Sequence, residues 1–270
     1  MNTLRLKVLA PLTIAVLALA ACSTSPTGRS QMIWKSDAEL AAESAVAFNQ
    51  MRASMPLATD RATIDFVACV AQAVVSVLEP PYNDIEWELA IFESDAVNAF
   101  AMPGGKIGVF TGILKVTENQ DQLATVIGHE IAHVTARHSN ERASRASLSD
   151  VGINAVAIVL GGGYTGTTYT AQQALYAGAQ FGITLPHTRG QESEADIIGL
   201  KYMANAGFDP RQAVPLWQHM DELAEKAPAE FLSTHPANET RIENLVSEWQ
   251  EALPLYNAAQ LDGRIPECKK

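Results

Sequence analysis

The sequence His129-Glu130-Ile131-Ala132-His133 places two imidazoles four residues apart, with a carboxylate beside the first. On a helix, residues i and i+4 sit one turn above each other, about 40° apart in projection, so both rings can reach one metal ion. Glu130 then points aside from the ion and suits a base that takes a proton from an attacking water, whose acidity a zinc ion raises. The plain alternative is two unrelated histidines on one helix, one satisfied in the core and one solvated.

A hydrolytic zinc takes three protein ligands and keeps one position open. A third histidine six residues after the second would fall on Ser139, and the glycine that pattern needs at 136 is Ala136, so that arrangement is excluded. His138, on an unbroken helix, faces the other way and reads as solvated or supporting. The third ligand is then sought in a carboxylate elsewhere, and Glu192-Ser193-Glu194-Ala195-Asp196 supplies one. Glu192, Asp196, Gly199 and Met203 project within about 60° of one another, while Glu194 and Lys201 point away. Glu192 could ligate there, with Asp196 orienting a ligating histidine and Gly199 letting two helices approach closely. Spacing alone leaves an acidic, solvated helix face equally open.

These residues need elements to hold them. From Thr117 the pattern is helical: Asn119 with Gln122, or Thr117 with Gln120, offers a capping box, and Leu123, Ile127, Ile131 and Val134 form a stripe about 80° wide. Upstream, helices are predicted over Ser36 to Arg52 and Asp60 to Leu78, the second closed by Glu79-Pro80-Pro81. Ile85, Trp87, Leu89 and Ile91 alternate with their neighbours as in a half-exposed strand, and Val97 to Ala101 and Lys106 to Phe110 read as strands around Pro103-Gly104-Gly105. Val151 to Leu160 reads as a buried helix, with a loop at Gly161 to Gly166. Helices are expected over Gln191 to Ala206, closed by Gly207, then from Asp209-Pro210, and from His235-Pro236 to about Glu251. No internal repeat or second domain boundary is visible.

Composition bounds the function. With 47% apolar and 18% charged residues the chain can bury one large core. A net charge of −11 without a basic stripe argues against nucleic acid as a partner. Arg5 and Lys7 precede an apolar run, Val8 to Ala20, that is too short to span a bilayer. Leu19-Ala20-Ala21-Cys22 resembles the lipobox of bacterial lipoproteins, whose cysteine is lipidated and becomes the new N-terminus; a buried thiol is the alternative. Ser23, rather than Asp, resembles lipoproteins passed on to the outer membrane. The expected organisation is a signal peptide over 1–21, a lipid-anchored tether over 22–34 and a single domain over 35–270. Cys69 and Cys268 remain as an even pair in an oxidising compartment, either one disulfide or two free thiols.

The run His129 to Ser139, the Glu192 to Asp196 motif, the strand pair Asn98 to Gly105, and Thr234-His235-Pro236 with Arg241 together resemble metallopeptidase family 48. This is the gluzincin group containing the HtpX-like and CAAX-prenyl-protease-like enzymes. The resemblance covers about residues 85 to 245, and with the lipobox it is greatest to the periplasmic lipoprotein branch. It implies an α+β fold, a mostly helical zincin-type metallopeptidase domain with a small antiparallel sheet. It implies one zinc ion per chain on His129, His133 and Glu192, Glu130 as general base, Asp196 behind a ligand, and His235 as the histidine that approaches the metal site. His235, read at a helix start, suits a neutral donor to a developing oxyanion, or else is a plain cap residue. Asn98 lies on a strand edge to which an extended substrate could add, or is simply a polar strand residue. The multiple membrane spans of some relatives are absent, so no intramembrane substrate chamber is expected. The reading is a zinc endopeptidase of the bacterial envelope, lipid-anchored at the periplasmic face of the outer membrane. Its partners are extended or unfolded polypeptides and other envelope proteins. The rival is a zinc-containing, chaperone-like lipoprotein, non-catalytic or latent, with His235 in the open metal position.

Overall fold

A computed structural model describes residues 22–145, 187–226, 230–235 and 240–270. The expected signal peptide and the predicted helix and loop at 151–166 lie outside them. No described helix is long and apolar enough to cross a membrane.

Helices α1 (Asp37–Ser54) and α2 (Arg61–Val75) begin where short oxygen-bearing side chains accept orphan amides, Ser36 from Glu39 and Asp60 from Thr63. Strands β3 (Glu88–Phe92), β4 (Ala99–Met102) and β5 (Lys106–Phe110) form one sheet in the order β3-β5-β4. The chain is α+β and mostly helical, as expected, but this sheet is mixed rather than antiparallel. β4 and β5 form an antiparallel hairpin with Ala101 opposite Ile107, while β3 runs parallel to β5 with Ile91 opposite Val109. Residues 93–98 skip one strand position before β4 starts, so β5 returns into the gap in the direction of β3.

The alternation over 85–92 does not mark a half-exposed strand, because both sheet faces are covered. Ala90, Phe92, Phe100, Met102 and Phe110 pack against Ala47 and Phe48 of α1. Ile91, Ala99, Ala101, Ile107 and Val109 join α2 and the central helix in the main core. Gly108 makes room for the Phe100 ring, which a Cβ would meet at 2.2 Å.

The central helix is α3 (Gln120–Thr135). Asn119 caps it by accepting from Asp121 and Gln122, and Gln122 reaches back to the amide of Glu118. The predicted apolar stripe faces the main core, but the rest of α3 is buried as well, against α4 (Arg189–Asn205). At the crossing, a Cβ on Gly199 would lie 2.7 Å from the His129 amide nitrogen, and one on Gly128 would lie 2.8 Å from the Gly199 carbonyl oxygen. Only glycine permits this approach, and it sets the acidic face of α4 against the histidine face of α3.

Thr188 and Gln191 form a reciprocal capping box at the start of α4, and Gly207 at φ 93° closes it. Asp209 caps a 3₁₀ turn (Pro210–Gln212) that leads into α5 (Ala213–Lys226); α6 (Glu230–Thr234) and α7 (Arg241–Leu261) follow. A disulfide joins Cys69 of α2 to Cys268 with Cα atoms 5.7 Å apart. The tail it secures meets the start of α3, where Gln120 donates to Pro266 O and accepts from the Cys268 amide.

Residues 22–34 are not a free tether. β1 (Cys22–Thr24) and β2 (Ser30–Met32) form an antiparallel hairpin. Gln31 donates to Ala136 O at 2.6 Å, and Arg29 at the turn reaches two buried carboxylates, Glu141 and Glu194. The polar composition that suggested a tether is the chemistry of this docking.

Candidate metal centre

α3 aims His129 and His133 toward α4, whose first turn brings Glu192 opposite them; all three are buried. His129 Nε2 lies 3.0 Å from His133 Nε2 and 3.5 Å from Glu192 Oε2, and His133 Nε2 lies 3.4 Å from Glu192 Oε1. His235 Nδ1 joins them, 3.2 Å from both His129 Nε2 and Glu192 Oε1. A tetrahedron with bonds of about 2.0–2.1 Å has edges of roughly 3.3 Å, so four donors at these spacings fit one zinc ion. Ring nitrogens facing each other in a buried site need a cation or a proton between them, and this nitrogen and oxygen donor set is one that zinc takes.

The surroundings fix these donors. His129 Nδ1 lies 2.9 Å from Asp196 Oδ1, so the carboxylate one turn beyond Glu192 sits behind the His129 ring. Arg241 at the start of α7 binds Asp196 Oδ2 at 2.7 Å and Glu192 Oε2 at 2.8 Å, and stacks 3.8 Å over the Trp217 ring. Burial works against a charge on His129, but Asp196 and Glu192 outweigh it and raise its pKa to about 10. Burial pushes Glu192 up, and His235, His129 and His133 more than reverse this, holding it well below the carboxylate range. For His133 burial prevails and holds its pKa well below the usual histidine value.

Glu130 faces a cleft that it shares with Asn98, Ala99, His133, His187 and His235. Its Oε1 is buried, 3.3 Å from His235 Nε2, and has no hydrogen-bond partner among the described residues. Burial raises the Glu130 pKa against the pull of His235 and His129, which suits a group that must both accept and release a proton.

Two expectations change here. His235 does not start a helix: its amide donates to Phe231 O and closes the last turn of α6, since Pro236 has no N–H to continue it. The dipole argument for a neutral His235 therefore falls, although the side chain does reach the site. Asn98 precedes β4, an edge strand in the sheet order, but it is buried rather than exposed, and its Oδ1 accepts from the Ala99 amide.

Other residues were half read or unread in the sequence, and of the two readings open for His138, solvated or supporting, burial removes the first. His138 is fully buried with Nδ1 2.8 Å from His133 Nδ1, because α3 ends at Thr135 and Arg137, at φ 57°, turns the chain back. A projection along one unbroken helix could not show this. His187, just before α4, lies against His133 with ring centroids 3.7 Å apart, beside Arg142. Arg241 carried a signal, as a lone cation within a matching motif, but not its role. Arg29, in a stretch of small polar residues, carried none.

A His-Glu-x-x-His helix paired with a glutamate from a second helix defines the gluzincin class of metal site. The model of Peptidase family M48 matches residues 63–249. The chain is 39% identical over 189 residues to the mitochondrial metalloendopeptidase OMA1 of Schizosaccharomyces pombe, covering 68% of this chain and 52% of that protein. It is 31% identical over 223 residues to the beta-barrel assembly-enhancing protease of Yersinia pestis, covering 79% and 44%. It is 29% identical over 233 residues to the Escherichia coli protein of that name, covering 82% and 46%. The chain belongs to peptidase family M48, whose members depend on zinc. It spans about half the length of the curated relatives it matches.

Proposed function

We propose that the protein is a zinc-dependent endopeptidase of the bacterial envelope that cleaves extended segments of unfolded or misfolded proteins. The observation that carries this reading is Glu130 beside the donor cluster, buried and with one oxygen unpartnered among the described residues. A purely structural zinc site needs no such base beside it.

His129, His133 and Glu192 would hold the ion, which supplies Lewis acidity toward the scissile carbonyl and toward water. Glu130 takes the proton of the attacking water and passes it to the leaving amine. His235, 3.3 Å from Glu130, stands where its ring can donate to the oxygen that gains charge. Asp196 and Arg241 keep the His129 ring and the Glu192 carboxylate in place. β4 lines the cleft at the sheet edge, and an extended backbone can add along it, next to the buried Asn98. Edge pairing of this kind selects extended chains over folded ones.

Lipidation at Cys22 and residence at the periplasmic face of the outer membrane rest on the lipobox-like Leu19 to Cys22 and on the similarity to bacterial proteases named for beta-barrel assembly. The mitochondrial relatives carry the same catalytic family in another compartment, so this step depends on the N-terminal sequence.

One observation favours a second reading. His235 Nδ1 lies within the donor cluster, so His235 could fill the open position and keep the enzyme latent until substrate displaces it. Cleavage of unfolded casein by wild type and Glu130→Gln, each with and without a chelator, tests the proposal. Activity confined to chelator-free wild type supports it. Equal activity in all samples refutes it, and none in any favours the latent or chaperone-like reading.

A further inference from the structure

We propose that Arg29 is a positioning residue for the metal centre, holding both sides of it through two buried carboxylates; the inference rests on the reading of His133 and Glu192 as metal ligands. A His133 that offers Nε2 to the metal, beside His129 and Glu192, keeps its proton on Nδ1, which then donates to His138 Nδ1 at 2.8 Å. His138 then carries its own proton on Nε2, which donates to Glu194 Oε2 at 3.1 Å. Glu194 accepts from Arg29 Nε at 2.9 Å and from the Thr27 hydroxyl at 2.7 Å. Each proton along this path has one place, and each step fixes the ring before it.

The other edge of the same guanidinium donates twice to Glu141, at 3.0 and 2.7 Å. Glu141 also accepts from Gln191 Nε2 at 3.1 Å, and Gln191 closes the capping box of α4 next to Glu192. The Glu141 and Glu194 side chains are 0% and 2% exposed, so leaving them without Arg29 would be costly. Only a planar, forked cation serves two carboxylates in this way; a lysine supplies one point charge. Arg29 is separated from Glu141 and Glu194 by 112 and 165 residues and arrives on the β1–β2 hairpin. Hairpin docking and metal binding are therefore linked, and linkage is reciprocal.

The test uses the full chain and zinc alone. Competition against a chromogenic chelator is expected to show zinc held about 10- to 100-fold more weakly by Arg29→Ala than by wild type, the usual cost of losing support behind a ligand, with Arg29→Lys between them. Amide exchange over residues 23–32 is expected to slow on zinc loading in wild type and not in Arg29→Ala. A merely structural Arg29 would leave zinc affinity within twofold and hairpin exchange indifferent to zinc, and either result overturns the proposal. The wild-type exchange measurement decides the matter even if Arg29→Ala fails to fold. A wild type that binds no zinc refutes the metal reading itself, whereas stoichiometric zinc held equally by both proteins refutes only the role of Arg29.

Discussion

Gly128 and Gly199 face each other where α3 crosses α4, and neither helix leaves room for a Cβ there: the nearest atoms would be backbone at 2.8 and 2.7 Å. The pair sits beside His129 and one turn from Asp196, so it sets the separation from which the metal cluster is built. Gly199→Ala is expected to push the helices apart, costing about 1–3 kcal/mol of stability, as overpacking does. Because His129 and Glu192 would move apart with them, zinc affinity should fall as well. Denaturant unfolding and chelator competition on the same variant check both effects; unchanged zinc binding would mean that the crossing does not control the site.

Cys69 and Cys268 close a loop with a sequence separation of 199 residues. Cys268→Ser is expected to lower stability by about 2–5 kcal/mol, as loss of a native disulfide does in secreted domains. The start of α3, which the tail contacts through Gln120, should show the largest rise in amide exchange. A variant as stable as wild type would contradict this.

The fold class, the helix bearing His129 and His133, the turn at Pro103 to Gly105 and the cap at Gly207 were legible because each follows from local chemistry: period, capping oxygens, glycine at positive φ. The parallel pairing of β3 with β5 was not, since it depends on where residues 93–98 lead the chain. The solvated reading of His138 and the helix start at His235 fail for a common reason, the assumption that a helix continues or begins where backbone geometry stops it. Glu192 could be placed only by resemblance, because an acidic helix face looks alike whether it meets water or a metal. The docking of Arg29 depends on partners more than 100 residues away, which no local pattern encodes.

Acid should undock the N-terminal hairpin. Burial raises the Glu141 pKa, but hydrogen bonds from Arg29 and Gln191 outweigh it and hold the group below its usual value. A carboxyl depressed in the folded state stabilises the fold above its unfolded pKa of about 4.3, and that contribution is lost as the pH falls through the folded value. Wild type should therefore lose thermal stability below about pH 4.5 more steeply than Arg29→Ala, which keeps Arg145 beside Glu141 but lacks the larger share of the depression. Melting temperatures from pH 6 to pH 3 check this; a constant gap between the two proteins would contradict it.

His235 distinguishes catalysis from latency. As a donor to the developing oxyanion, its loss in His235→Ala should lower kcat by about 10²-fold with little change in KM. A rise in activity would instead favour His235 as a displaceable occupant of the metal position. Steady-state kinetics on an unfolded protein substrate separates the two.

The central claim is that α3 and α4 jointly hold one zinc ion. Anomalous diffraction at the zinc edge, on crystals of zinc-loaded protein, tests it most directly. The account predicts a single strong peak bounded by His129 Nε2, His133 Nε2 and Glu192, with Glu130 beside it and not among the ligands. No peak at that position, or one lacking Glu192, would contradict it.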